Sequence, residues 1–413
     1  MILSIISHAL RFGKENQLGL NKGYLLSAVY NFKTMHIRMA ESPTEGHPDK
    51  VADLIADALL DEFLRKDPYS RVSLEVMVIS GMTFVAGHVS TEGYVDIPGI
   101  VRSTMKEVGY NRPELGFDAD ASAVIISIEE QSPEIVLGLS QEGAGDTAVV
   151  VGYACNETES YMPLPITLAH SLSKKLADLR KTGRAPFLRP DGKVLTTVAY
   201  EGTKPLFVKD IILFAQHDPD VSLEKLKDYL VEEAVKKVVP SRYITKETRI
   251  LVNPSGRFVL GGPVADVGQT GRKIVSDAYG DTAYSGGSAF SGKDPTKTDR
   301  SASYLARMMA KHVVAGGFAE RCLVQLAYAF GVSEPIAFDI ETYGTEKVEK
   351  ERIKEALQEV FPLNPRRMIE FLDLRKPIYK KTACYGHFGK EELPWEKLTK
   401  LEELKERLGG GIQ

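Results

Sequence analysis

The sequence predicts an α+β fold of three similar domains with mainly antiparallel sheets, and three observations predict it. At 413 residues the chain exceeds what one hydrophobic core organises, since single cores stop growing near ~250–300 residues. Helical periodicity alternates with pairs of short strand-like runs rather than with single strands, which favours antiparallel hairpins over βαβ units. An order of helix, two strands, helix and strand begins near Pro48 and its pattern then returns twice, with little residue identity between the copies.

In the first copy Pro48 to Arg65 is expected to be helical. Val51, Leu54, Ile55, Ala58, Leu59 and Phe63 recur at helical spacing, and Pro48 suits a first turn. Val72 to Val78 and Thr83 to Val89 read as strands joined at Ser80-Gly81, Ile97 to Val108 as a helix and Ala121 to Ile128 as a strand. The second copy has helices at Leu164 to Arg180 and Ser222 to Val238 around strands at Val194 to Tyr200 and Lys209 to Ala215. The third has helices at Ser301 to Ala315 and Lys347 to Val360 around strands at Arg321 to Phe330 and Ile336 to Glu341. Lys397 to Leu408 reads as a charged, amphipathic surface helix. Gly and Pro punctuation places boundaries in Leu137 to Gly145 and near Gly261-Gly262-Pro263, giving domains 39–136, 143–260 and 261–402. Residues 1–38 carry short apolar patches broken by basic residues. They are read as a disordered leader or as sequence ahead of a working start at Met35 or Met39.

Composition narrows the function. A net charge of −4 leaves no basic excess to hold nucleic acid, and no run approaches the ~18 apolar residues of a membrane span. Cys155, Cys322 and Cys384 lie far apart without zinc spacing or a disulfide framework, which fits a reducing cytoplasm.

The densest chemistry lies in GGSAFSGKDPTKTDRSASY, Gly286 to Tyr304, where glycines, cations and aspartates lead into an apolar helix in a composition suited to a polyphosphate and its metal. Gly287 to Lys293 has the G-x-x-x-x-G-K spacing of a Walker loop, but Asp294 stands where Ser or Thr should bind magnesium. Either the P-loop reading is wrong or the loop is broken. His47 and Asp49 flank Pro48 at a helix start, where an anion or a capping contact is favoured. Lys193, Arg257, Arg272, Lys273, Lys293 and Lys297 all follow turn residues, so together they could neutralise a chain of phosphates. Asp49, Asp294 and Asp299 are hard oxygen donors suited to Mg²⁺, and Phe258 could stack on a base or fill a core. No G-x-S-x-G, H-E-x-x-H or strand-borne G-x-G-x-x-G occurs, which counts against triad hydrolases, zincins and Rossmann enzymes.

Taken in order, ESPTEGHPDK, GAGD, GYACNET, LRPDGK, NPSGRFVLGGP, GQTGRK, the Gly286 to Tyr304 run, YGHFG and PWEK resemble the S-adenosylmethionine synthetase (methionine adenosyltransferase) family from Met39 to about Lys397. The resemblance implies three α+β domains about a pseudo-threefold axis, in a homodimer or a dimer of dimers with sites at the subunit interface. It implies ATP and L-methionine as substrates, sulfur attack on C5′ of ATP, and hydrolysis of the released triphosphate to pyrophosphate and phosphate. Mg²⁺, two per site, and K⁺ are the implied cofactors.

Matching motif positions, His47, Lys193, Arg272, Lys293 and Asp146 are implied to be catalytic. Asp191, Gly192, Arg257, Phe258, Asp266, Lys273 and Ala289 are implied to complete the ATP site, and His88, Gln131, Asp266 and Lys297 to bind methionine. Asp49 and Asp299 would hold Mg²⁺, and Glu75 would match the K⁺ ligand. Three departures stand out: His88 replaces a glutamate that binds the methionine amino group, the 131–146 segment is short, and Ser288 replaces a loop glycine. A protonated imidazole would repel the ammonium and a neutral one accept from it, so methionine binding is expected to weaken below neutrality.

Overall fold

The structure is a computed structural model that describes residues 35–130, 143–287 and 289–409. In the first third, helix α1 (Pro48–Lys66) covers one face of a hairpin made by strands β2 (Arg71–Ile79) and β3 (Met82–Ser90). Strand alternation does this: Val72, Leu74, Val76 and Val78 are buried, while Glu75, Met77 and Ile79 face outward. Gly81 turns the hairpin with a positive φ. Helix α2 (Ile97–Val108) ends at a left-handed Gly109, and strand β4 (Ala123–Glu129) lies parallel to β3.

The middle third supplies helix α3 (Leu164–Lys181) and two 14-residue strands, β6 (Leu188–Glu201) and β7 (Lys204–His217). The expected strand there began at Val194; the observed one takes in LRPDGK with a register shift between Leu188 and Gly192. Helix α4 (Leu223–Leu230) runs on through a π turn at Val231–Val235 instead of continuing as the regular helix expected to Val238, and strand β8 (Arg249–Val252) follows. The last third has helix α5 (Thr298–Ala315), strands β10 (Arg321–Tyr328) and β11 (Ala337–Glu341), helices α6 (Lys350–Val360) and α7 (Pro365–Phe371), and helix α8 (Leu401–Leu408), whose Leu404 and Leu408 are buried.

Three strands are exchanged between thirds. Strand β1 (Met35–Pro43) pairs with β6 over its whole length, from Met35 opposite Glu201 to Pro43 opposite Lys193. This corrects the leader reading for residues 35–38, which the β6 edge holds in place by main-chain hydrogen bonds. Strand β5 (Ala148–Cys155) pairs with β10, and β9 (Gly268–Gln269) pairs with β2. The sheets therefore run β1-β6-β7-β8, β11-β10-β5 and β4-β3-β2-β9. Each third gives its first described strand to another third, cyclically, so three similar units become one interlocked body. One apolar core runs through the β11-β10-β5 and β4-β3-β2-β9 sheets with α1 and α5, and a second lies under β6 and β7.

Candidate active site

The loop from β1 into α1 carries His47 at the helix N-cap, where its Nδ1 accepts from the Asp49 N–H at 3.2 Å. Burial first, and then the cation of Lys273, pull the imidazole down to about 4, so it is neutral at physiological pH. His47 opens onto a cleft of about 270 Å³ shared with Asp191, Gly192, Lys193, Arg257 and Phe258. The register shift in β6 places Asp191 under the cleft, where it accepts from the Gly262 N–H at 2.8 Å and burial raises its carboxyl to about 6. Lys193 pairs with Glu41 of the exchanged strand at 3.1 Å. Phe258 is half-buried, its main chain bonded to His217 in both directions, while Arg257 is exposed and donates to the Pro219 carbonyl at 2.7 Å. Asp266 is exposed beyond the 262–264 turn, and its Oδ1 accepts from Val267 N–H.

The next loop is held from beneath by α1. Four aspartates, Asp49, Asp53, Asp57 and Asp61, repeat at helical i, i+4 spacing along it and all are buried. Asp49 accepts from Gln269 N–H at 3.0 Å and Lys273 at 2.6 Å, with Arg272 at 3.6 Å. Burial pushes its carboxyl up, but the Lys273 and Gln269 hydrogen bonds outweigh that and hold it below the usual range. Asp53 accepts from Gly271 N–H at 2.9 Å, Asp57 from Gly292 N–H at 2.9 Å, and Asp61 from the N–H groups of Tyr379 and Lys380. One helix face thus anchors both GQTGRK and GGSAFSGK, and Ala289 packs against Gly271 where those loops meet. Sequence reading found Asp49 alone. The signal for the rest was present in the spacing D-x-x-x-D-x-x-x-D-x-x-x-D.

Lys293 lies beside β2, bridged to Ser73, and its ammonium meets Asp299 at 2.7 Å. Gly292 before it has a φ of +82°, and a Cβ there would overlap the Leu74 carbonyl, so only glycine lets the loop lie against the strand. The Oδ1 atom of Asp299 is buried without a partner. Asp146 faces it, and its carboxyl is raised by burial and by that neighbour. Asp294 is fully buried, accepting from Val72 N–H at 2.7 Å and from Lys297 at 2.5 Å; Lys297 is itself only 6% exposed. This overturns the Walker reading. Helix α5 starts five residues past Lys293, at Thr298, so the lysine is not at the helix N-terminus as a P-loop requires.

Along the same sheet Ser73 lies opposite His88 on β3, and His88 lies opposite Glu129 on β4. Directly opposed residues share a face, and Glu75 two residues on shares it too, so Glu75, His88 and Lys293 line one outward surface. Burial raises the Glu75 carboxyl while Lys293 opposes the shift. Gln131, most of the shortened segment and Ser288 lie outside the described residues. The predicted residues fall into a set around His47, Asp49, Lys193 and Lys273 and a second set around Lys293, Asp299, Asp146 and Glu75. Among the described residues no three His, Cys, Asp or Glu side chains group to hold a metal, all three cysteines are buried and free, and no helix is long and apolar enough to cross a membrane.

Residues 35–133 match the model for the S-adenosylmethionine synthetase N-terminal domain, 141–258 that for the central domain, and 260–397 that for the C-terminal domain. A protein of Aquifex aeolicus called S-adenosylmethionine synthase is 66% identical over 373 residues, covering 90% of this chain and 99% of the relative. Proteins of the same name from Thermus thermophilus and Desulforudis audaxviator are 51% and 50% identical, each over 91% of this chain and 99% or more of their own length. With three consecutive domain models matched and a full-length relative at that identity, the chain belongs to the S-adenosylmethionine synthetase family.

Proposed function

We propose that this chain makes S-adenosylmethionine from ATP and L-methionine, releasing triphosphate and hydrolysing it to pyrophosphate and phosphate. The observation that carries the reading is the cleft at His47. It combines an aromatic wall (Phe258), a buried carboxylate (Asp191), a neutral imidazole and the cations Lys193 and Arg257, the complement of a base, a sugar and phosphates.

The methionine sulfur uses a lone pair to form the S–C5′ bond, and the C5′–O bond breaks with its electron pair leaving on the triphosphate. A thioether loses no proton in this step, so the residues have positioning and charge stabilisation to supply, not general base catalysis. Neutral His47, Lys193, Arg272, Lys273 and Lys293 stabilise the departing oxygens, with Ala289 lining the loop. Asp146 and Asp266 face the positive sulfonium. Water then cleaves the triphosphate in the same cationic setting. His88 accepts from the methionine ammonium, and Lys297 and Gln131 belong to the methionine end.

The family implies a metal-dependent enzyme, and the residues fit Mg²⁺. The unpartnered Asp299 oxygen and the Asp49 carboxylate are hard donors too few for an all-protein site, which suits an ion that shares its ligands with phosphate oxygens. Bound there, Mg²⁺ supplies charge neutralisation to the polyphosphate. Glu75 is the K⁺ candidate. A homodimer or dimer of dimers would bring one subunit's His47 set to the partner's Lys293 set, and the outward Met77, Ile79 and Ile125 side chains offer an apolar face for it. The test is mass-spectrometric detection of the sulfonium product from ATP and methionine with Mg²⁺, with and without K⁺. ADP without sulfonium product would refute the reading.

A further inference from the structure

A second cavity, of about 220 Å³, lies between α3 and the 385–390 turn. Its floor is apolar, formed by Met162 and Phe388, both buried. Its polar lining is cationic. Lys174 on α3 is exposed and has no carboxylate partner among the described residues, and Ser171 one turn before it has its hydroxyl free. Lys390 is held by the carbonyls of Lys381 at 2.6 Å and Cys384 at 2.7 Å, which accounts for two of its three N–H groups. Burial brings that amine down to about 8, although Glu392 and Asp277 oppose the shift. On the same wall the Nε2 atom of His170 is buried without a hydrogen-bond partner, while its Nδ1 meets the Ser42 hydroxyl at 2.8 Å.

We propose that this cavity is a binding site for a phosphate group, free or carried on a small apolar body, separate from the His47 cleft. Two lysines and a free hydroxyl offer more donors than one carboxylate uses, and lysine serves phosphate as a point charge. Phe388 and Met162 then take up the apolar part of an ester. The inference stands on this cavity alone and does not depend on the proposed reaction.

The test is calorimetric titration of the full chain with phenyl phosphate and, separately, with inorganic phosphate, while Mg²⁺ and adenylyl imidodiphosphate occupy the cleft. Saturable one-to-one binding is expected, weakened by about tenfold or more in Lys174→Ala and in Ser171→Asp, the scale of one charge-assisted hydrogen bond. Both positions are on the exposed side of a helix, so these variants fold, and Lys193→Ala is expected to leave the isotherm unchanged. Equal affinity for the two probes identifies free phosphate as the ligand; tighter phenyl phosphate identifies an ester. Absence of saturable binding at millimolar concentrations overturns the proposal. So does binding that survives Ser171→Asp, or that is lost in Lys193→Ala, which would place the anion in the His47 cleft.

Discussion

Asp57→Asn tests whether the Lys293 loop is held from beneath by α1. Asp57 and Arg300 are both 0% exposed and meet through two hydrogen bonds of 2.9 and 2.8 Å. The same Asp57 oxygen accepts from Gly292 N–H at 2.9 Å, and Arg300 donates to the Lys293 carbonyl at 2.9 Å. Asparagine keeps the shape and one acceptor but removes the charge, leaving a guanidinium that cannot escape by deprotonation. Its approach to the Tyr379 ring at 4.2 Å offsets only part of that. Breaking one side of such a pair costs ~3–5 kcal/mol, a large share of the ~5–15 kcal/mol that holds a protein folded. Urea titration at fixed protein concentration should show that loss as a lowered midpoint with an unchanged slope. A loss below ~1 kcal/mol would refute the reasoning. Asp57→Leu combined with Arg300→Met removes both charges and should recover most of the stability but not the turnover, because Gly292 N–H and the Lys293 carbonyl lose their partners. Full activity in the double variant would show that the pair does not position Lys293.

Lys293→Ala should lower kcat by ~10²–10³ with the circular-dichroism spectrum unchanged, since it deletes a cation aimed at the departing oxygens; wild-type turnover would sink that role. His47→Asn retains an N-cap acceptor, so the melting temperature should hold while kcat falls by ~10², separating cap from chemistry. His88→Glu should lower the methionine KM and leave the ATP KM alone, as measured by initial rates; a raised methionine KM would remove residue 88 from that pocket. Asp191, raised by burial from 3.8 to about 6, is ionised at neutral pH against a folding penalty. Because its folded value lies above the unfolded one, Asp191→Asn should add at most on the order of 2–3 kcal/mol at pH 7, shrinking as pH falls through 6 towards 4 in urea midpoints. The same variant should bind ATP more weakly.

Helix and hairpin positions were legible because they rest on local periodicity: α2 runs from Ile97 to Val108 as read, and α1 extends one residue past Arg65. Strand exchange was not legible. Met35 to Pro43 and Ala148 to Cys155 pair with partners far away in sequence, so their local neighbours carry no trace of the sheet they join. The same limit hid Asp53 and Asp57. Their spacing is visible, but the Gly271 and Gly292 N–H groups that give it meaning lie more than two hundred residues away. Asp294 shows the converse, since its clash with the Walker pattern was a local sign of a distant partner, the Val72 N–H.

The four candidate phosphate lysines share a property that bears on how such a site waits for its substrate. Lys193 faces Glu41, Lys273 faces Asp49, Lys293 faces Asp299 and Lys297 faces Asp294. A cluster of bare cations would repel itself and favour loop opening, whereas paired cations keep their geometry before anything binds. Under the proposed reaction a polyanion arrives together with divalent cations, and each pair can then trade partners, lysine to phosphate and carboxylate to metal, with the local charge nearly conserved. Asp294 does not take part in such a trade, being fully buried and tied to Val72, which makes the Lys297 pair a fixed brace at the base of the loop. Three exchangeable carboxylates then remain, Glu41 on β1, Asp49 at the start of α1 and Asp299 in the first turn of α5, and the last two are carried by buried helices and therefore cannot follow their lysines when the lysines move.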